Sequence, residues 1–361
     1  MALLEEGAAM LVALCNDLAR SGHRVTTSIE LTIAGELSRR QIDIKSHRLF
    51  NCGPLPTGSD LQSDIQPLDR IADRWRAESE DCDAVILIAP EIDRVLSRLV
   101  DRLRSFGVNV IAPDQRFLDC ATDKWETAQA WASSSLLTIP TWLATHWYQA
   151  FQLGQIHSGS SDTPTDGWVI KRRLGAGGVD MLRFPHADDL AAHIESLHPW
   201  NAELAGWDSS EALLQGGNST REAFIVQPWI CGQASSLAIL AAEGRPIRLL
   251  GAMDQQFGRD GSYVGGVGPL DLSSDRLQRF ATELLQAIPG EGNGWIGIDF
   301  VRTSSDAWYP LEINARLTSS YLGYRHCYGP GLADAILGSP LPLGNSLIPG
   351  AIRFSVTEFR G

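Results

Sequence analysis

Ala8, Leu11, Val12, Cys15, Leu18 and Ala19 recur at the three-to-four-residue spacing of one buried helix face, and Gly22 closes the run. This predicts a helix over the first 25 residues, with a strand from Val25 to Ile29. The apolar run Asp83-Ala84-Val85-Ile86-Leu87-Ile88-Ala89-Pro90 predicts a short buried strand. A helix from about Ile92 to Phe106 and a strand from Val108 to Ala112, stopped by Pro113, follow. Strands alternating with helices predict an open, mostly parallel α/β sheet. Such a sheet normally begins on a strand, whereas this sequence opens on a helix. The pattern therefore predicts a missing first strand, as a late start site or a truncation would leave it.

Helical spacing further predicts helices from Lys124 to about Leu136, Asp188 to about Leu197, and Arg276 to Ile288. Strands are predicted at Trp168 to Arg173, near Met181 to Phe184, and at Ala223 to Val226, Ser235 to Ala241 and Ile247 to Ala252. Gly154 to Gly167, rich in Gly, Ser, Asp and Thr, predicts a surface loop, and residues 200–221 an irregular insertion. Two apolar runs, Gly297-Ile298-Asp299-Phe300-Val301 and Leu311-Glu312-Ile313-Asn314-Ala315, flank the polar Ser304-Ser305-Asp306 and predict a β-hairpin. With its turn centred between Ser305 and Asp306, Asp299 lies opposite Glu312, and Asn314 shares the face of Glu312. Pro310 favours an edge strand or a bulge there.

A chain of 361 residues implies two or three domains. Its formal net charge of −13 argues against a nucleic-acid or anionic-membrane surface, which needs clustered Lys and Arg. The cysteines at 15, 52, 82, 120, 231 and 327 form no CxxC pair and are expected as free thiols. No run approaches the length of a membrane-spanning helix. Glu5 and Glu6 stand where a signal peptide is apolar, so a cytoplasmic protein is expected.

Two carboxylates directly across a ladder repel each other, so a fold that keeps them implies a cation between them. Hard oxygen ligands with an amide beside them suit Mg2+ held together with substrate phosphates. Upstream, Lys171 lies on a strand just before Gly175-Ala176-Gly177-Gly178. Backbone N–H groups in such a turn can approach phosphate oxygens, with the lysine adding charge. The same pattern also describes a structural glycine turn; it is neither a Walker A loop nor a dinucleotide fingerprint. Gln227-Pro228-Trp229-Ile230 ends an apolar strand with a free carbonyl at Pro228 and an N–H at Ile230, as a purine edge requires or as an ordinary strand end provides. The histidines lack metal spacing, and Ser319 and Ser320 lack the context of a nucleophilic serine. Asp254 and Gln255 are candidates to line an acceptor site.

In this order these segments resemble the ATP-grasp superfamily of carboxylate–amine ligases over nearly the whole chain. The resemblance implies an N-terminal open parallel α/β domain (residues 1–119), a central ATP-grasp subdomain (120–222) and a C-terminal ATP-grasp subdomain with the metal site (223–361). The two α+β subdomains would enclose ATP. It implies Lys124 and Lys171 as nucleotide-binding lysines, with Gly177 and Gly178 at the phosphates. Gln227, Pro228, Trp229 and Ile230 would form the adenine hinge. Asp299, Glu312 and Asn314 would be ligands for Mg2+ (or Mn2+), and Arg316 would face the transferred phosphate. The acidic ribose contact usual in the family is replaced by Ala234, with Gln233 or Ser235 as substitutes. Glu6-Gly7-Ala8-Ala9-Met10, Ile88-Ala89-Pro90-Glu91, Tyr263-Val264-Gly265-Gly266-Val267-Gly268-Pro269 and Leu317-Thr318-Ser319-Ser320-Tyr321 look like the tyramine–glutamate ligase group of methanofuran-type cofactor synthesis. The implied activity is ADP-forming amide synthesis from small-molecule carboxylate and amine substrates, without nucleic-acid or membrane partners and with a dimer as a plausible assembly. An amino-acid or dipeptide ligase of another pathway and a non-catalytic ATP-binding protein are the rival readings.

Overall fold

The computed structural model of the chain describes residues 2–29, 48–51, 67–156, 165–178, 180–197, 220–259, 261–342, 350 and 352–356. Most of the expected loop between Gly154 and Gly167, and nearly all of the expected insertion at 200–221, lie outside the described residues. Helix α1 (Ala2–Arg20) leads to β1 (Thr26–Ile29), which pairs in parallel with β2 (Arg48–Asn51). After α2 (Pro67–Ser79), the two strands expected around Val85 and Val110 reduce to one parallel bridge. Val85 N donates to Asn109 O at 2.8 Å and Ile111 N to Val85 O at 2.9 Å. Pro90 and Pro113 lack the N–H that a longer ladder needs.

A 3-10 turn at Ile92–Arg94 holds Asp93 and Arg94 in the left-handed region, with φ of 47° and 61°. It precedes α3 (Val95–Ser105), α4 (Gln115–Ala121) and α5 (Lys124–Ala132). α5 stops short of the expected Leu136: the Ser133 and Ser134 hydroxyls donate back to the Ala130 and Trp131 carbonyls, offering the chain a local alternative to the helix. β3 (Trp142–Leu143), α6 (Ala144–Gln152), β4 (Thr165–Arg172), β5 (Leu182–Phe184), α7 (Ala187–Ser196) and β6 (Phe224–Ile230) then form a four-stranded antiparallel sheet in the order β3-β6-β4-β5. Trp147, Leu190 and Ile194 of the two helices pack on Ile170 and Val226 of the sheet.

The last part of the chain comprises β7 (Gln233–Ala241), β8 (Arg248–Phe257), β9 (Tyr263–Gly268), α8 (Ser274–Gln286), β10 (Gly294–Arg302), β11 (Trp308–Asn314), α9 (Tyr321–Tyr328), α10 (Gly331–Ile336) and β12 (Ile352–Ser355). Its strands form a six-stranded antiparallel sheet in the order β11-β10-β7-β8-β9-β12. Both faces are covered, which explains why β7 is apolar at successive positions. Leu237 and Ile239 pack toward α3, α4 and α8, while Ala238 and Leu240 pack toward α1, α9 and α10.

The hairpin of β10 and β11 pairs Asp299 with Glu312, as expected, but by a different route. The ladder next to the turn pairs Arg302 with Trp308 and Phe300 with Pro310, centring the turn on Ser305. A bulge then leaves Leu311 as the extra residue and resets the pairing to Asp299–Glu312 and Gly297–Asn314. β11 is also an edge strand, so Pro310 is accommodated by an edge and a neighbouring bulge together. The bulge allows Leu311 to join Ile139, Ile230, Val301 and Tyr309 in a small apolar cluster while Glu312 still faces Asp299.

Candidate active site

Along β10, Ile296, Ile298 and Phe300 point into the core, which turns Asp299 to the opposite face. There Asn314 Nδ2 donates to Asp299 Oδ2 at 3.1 Å and Gln255 Nε2 of β8 donates to Asp299 Oδ1 at 2.9 Å. Withdrawal from water, followed by the Glu312 charge, pushes the Asp299 carboxyl far above the ordinary range. Withdrawal from water would also raise Glu312, but the Lys124 and Lys171 ammonium groups outweigh it and hold its carboxyl below the usual range. Glu312 Oε2 lies 3.0 Å from Lys124 Nζ. Among the described residues no group of three or more His, Cys, Asp or Glu side chains gathers as a metal cluster. Two opposed carboxyl groups and one amide thus form a small oxygen donor set, in which Asp299 gives up its proton readily only when a cation faces it. That fits Mg2+ completed by phosphate oxygens and does not fit a soft or thiolate-bound metal.

Lys124 opens α5, and its position follows from the residue before it. Asp123, buried, caps the helix by accepting from Trp125 N at 3.1 Å and Glu126 N at 3.3 Å. The same carboxylate accepts from Arg173 Nε at 2.7 Å and Arg94 Nη2 at 3.3 Å. Lys124 N donates to Arg173 O, and Lys124 Nζ to Gly175 O, so the lysine is fastened to the glycine-rich turn.

Ile170 of β4 enters the core of the four-stranded sheet, which places Lys171 on the other face, toward Glu312. Among the described residues no side-chain hydrogen bond or ion pair reaches the Lys171 ammonium. Burial lowers its pKa to about 8 against the opposing pull of Glu312. Beyond it, Gly177 and Gly178 have φ of 66° and 70° and are exposed, a left-handed pair that only glycine adopts without strain. Gln227 is paired with Val169, and Trp168 with Pro228. β3 pairs with β6 only at Ile225 and Val226, so its ladder stops just before Gln227. Gln227 Nε2 donates to Thr141 Oγ1 at 2.8 Å, the Arg183 guanidinium lies 4.9 Å from the centre of the Trp229 ring, and Ile230 is buried. Arg316, just past β11, is 10% exposed; its Nη1 donates to Leu317 O at 3.1 Å, and its charge acts on both Asp299 and Glu312.

Two expectations need correction. Ser235 is fully buried, donates to Asp254 Oδ1 at 2.7 Å and accepts from Arg302 Nε at 3.1 Å, so its hydroxyl is committed and cannot replace the ribose acid. Asp254, ion-paired to Arg302 at 2.6 Å, belongs to that cluster, whereas Gln255, next along β8, is the one that reaches Asp299. Ala234 carries no polar side chain, and Gln233 Nε2 donates to the carbonyls of Ala234 and Gln255. Sequence reasoning also passed over Asp123, although Asp123-Lys124-Trp125-Glu126 has the D-x-x-E form of a helix start. Glu91, at the end of Ile88-Ala89-Pro90-Glu91, gives no local sign of a role; its Oε1 accepts from Ala315 N at 2.8 Å.

Comparison with known proteins gives the family of the chain. The ATP-grasp domain family (ATP-grasp_3) matches residues 121–320, and the pre-ATP-grasp 3 domain matches residues 59–116. A tyramine–L-glutamate ligase from Methanocaldococcus jannaschii is 28% identical over 116 residues, covering 32% of this chain and 36% of that protein. The match thus spans about a third of the relative's length. The biotin carboxylase domain of Hydrogenobacter thermophilus 2-oxoglutarate carboxylase, solved with MgADP and bicarbonate, superposes with a TM-score of 0.67 at 12% identity, over 95% of this chain and 70% of that one. An L-amino acid ligase from Bacillus licheniformis gives a TM-score of 0.59 at 14% identity, over 94% and 72%. These two structural likenesses establish the fold alone. With the family match extending over more than half of its length, the chain belongs to the ATP-grasp family.

Proposed function

We propose that this protein is an ATP-dependent, ADP-forming carboxylate–amine ligase that works through an acyl phosphate. The observation that carries the reading is the opposed Asp299–Glu312 pair with Lys124 and Lys171 beside it and Arg316 within electrostatic reach. Ligand oxygens and cations are there gathered as a metal-bound triphosphate requires. Residues 120–222 and 223–361 act as the two lobes around the nucleotide, with 1–119 as the leading domain. Lys124, Lys171 and the N–H groups at Gly177 and Gly178 hold the phosphates, and Gln227 to Ile230 hold the base. Gln233 is the remaining candidate for the ribose. Asp299, Glu312 and Asn314 would hold Mg2+, which would supply charge neutralisation on the substrate phosphates. A substrate carboxylate oxygen displaces ADP from the γ-phosphorus; an amine then attacks the acyl carbon, expelling phosphate and leaving the amide. Arg316 stabilises the charge that builds up in both steps. No protein nucleophile is required.

The finer reading is glutamate joined to an amine in methanofuran-type cofactor synthesis by a cytoplasmic enzyme; the partial likeness to the tyramine–L-glutamate ligase supports its glutamate–amine part. The fold likeness to an L-amino acid ligase favours a second reading, amino-acid or dipeptide ligation in another pathway. Hydroxylamine with ATP, Mg2+ and a panel of carboxylates including L-glutamate tests both. A hydroxamate from glutamate supports the first, and a hydroxamate only from other acids supports the second. ATP consumption without any hydroxamate rejects the acyl-phosphate route.

A further inference from the structure

Glu91 precedes Ala315 by 224 positions, yet its Oε1 accepts the Ala315 N–H at 2.8 Å. Its side chain is 6% exposed and that of Arg316 10%. Glu91 Oε2 faces Arg316 Nε at 3.8 Å, within ion-pair range but too long for a hydrogen bond, and that buried Nε has no hydrogen-bond partner. Burial raises the Glu91 carboxyl, and the Arg316 charge is the main force opposing it. Two charges withdrawn from water at this separation recover little of their desolvation cost, so stability alone does not explain the pair.

The segment that carries Glu91 is itself fastened to the site. Asp93 N donates to Leu174 O at 3.2 Å, and Asp93 Oδ1 accepts from Arg172 Nη2 at 3.3 Å, both beside the glycine-rich turn. Arg94 Nη2 reaches Asp123, the cap that places Lys124. Arg316 is drawn by Asp299 and Glu312 on β10 and β11 and by Glu91 on this separate turn. A cation between Asp299 and Glu312 would weaken their pull, while that of Glu91 does not depend on it.

We infer that Glu91 is a positioning residue for Arg316, fixing the backbone at Ala315 and the direction of the guanidinium so that it faces the transferring phosphoryl group. The role in phosphoryl transfer rests on the ligase reading above; the contact between the two residues does not.

Glu91→Gln preserves size and an acceptor for the Ala315 N–H while removing the charge. The expected result is a fall of about 10- to 100-fold in kcat for ADP release. The KM for ATP should change by no more than about twofold, while the melting temperature falls because the buried guanidinium loses one of its opposing charges. In an Arg316→Ala background the same substitution should cause no further loss, because the group it positions is gone. Additive losses, or an effect confined to the KM for ATP, would overturn the inference. A second readout needs no turnover. The Arg316 Nε resonance, assigned by its disappearance in Arg316→Lys, should move in nucleotide-free Glu91→Gln protein, and an unmoved resonance would overturn the assignment. If the wild-type protein releases no ADP with any acid–amine pair, the ligase reading falls, and this resonance alone decides whether Glu91 orients Arg316.

Discussion

Lys171 brings a positive charge to the site that no described side chain meets at hydrogen-bonding distance, so its partner is expected in the ligand. Lys171→Ala should weaken MgATP binding by about 1.5–3 kcal/mol, the range for hydrogen bonds to charged groups; calorimetry at fixed Mg2+ checks this, and unchanged affinity in a folded variant would remove Lys171 from the phosphates. The same residue predicts a pH effect. Its pKa is about 8 in the fold against an ordinary 10.5, so between these values the unfolded chain binds more protons. Stability of the nucleotide-free protein should therefore rise with pH across that window, and this rise should shrink in Lys171→Ala. Glu312→Gln tests the opposite charge. It removes repulsion with Asp299 and also the 3.0 Å pairing with Lys124, so the free protein should melt nearly as before. Turnover should vanish and the MgATP-induced rise in melting temperature should shrink. Normal activity with full ligand stabilisation would show that Glu312 binds no metal.

At the level of elements, Asp123 links a helix start to the glycine-rich turn. Asp123→Ala removes an N-cap and leaves Arg173 without its nearest carboxylate, so stability should fall by about 2–4 kcal/mol in urea unfolding. The KM for ATP should rise because Lys124 follows directly on the cap, and an unchanged urea midpoint would contradict this account of the turn. The hairpin was legible in the sequence because its polar turn and alternating faces are local signals, and Pro310 itself pointed to an edge strand or a bulge. Which residue the bulge leaves unpaired was not legible, since Leu311 answers to Ile139 and Ile230, which lie outside the hairpin. β9 escaped notice because Tyr263-Val264-Gly265-Gly266-Val267-Gly268 has too few large side chains to show alternation. Its glycines serve close packing: a Cβ on Gly265 would lie 2.0 Å from Phe354 O on β12, a strand that, like β2 and β3, was also missed. Around Val85 and Val110 the apolar runs overstated pairing, because periodicity reports burial whether or not a ladder forms. Glu91 was illegible as a site residue for a simpler reason: its partners are 224 and 225 positions away.

Across the whole molecule, the site belongs to no single sheet. Lys171 and Gln227 to Ile230 come from the four-stranded sheet, the carboxylates from the six-stranded sheet, and Lys124 from a helix fastened to both. α1 is held to the far end of the chain by Asp17, which accepts from Arg325 Nη2 at 2.6 Å and from Tyr321 Oη at 2.8 Å, so the first and last parts of the sequence share one core. Among the described residues no helix is long and apolar enough to cross a membrane, and Cys15, Cys82, Cys120, Cys231 and Cys327 are free. The central claim is that a substrate carboxylate attacks the γ-phosphate in this shared site, and the fate of one oxygen atom tests it. L-glutamate labelled with 18O in both carboxylates is incubated with ATP, Mg2+, tyramine and the protein, and the products are read by 31P NMR. The account predicts ADP together with inorganic phosphate carrying one 18O, whereas AMP bearing the label, with pyrophosphate, would contradict it.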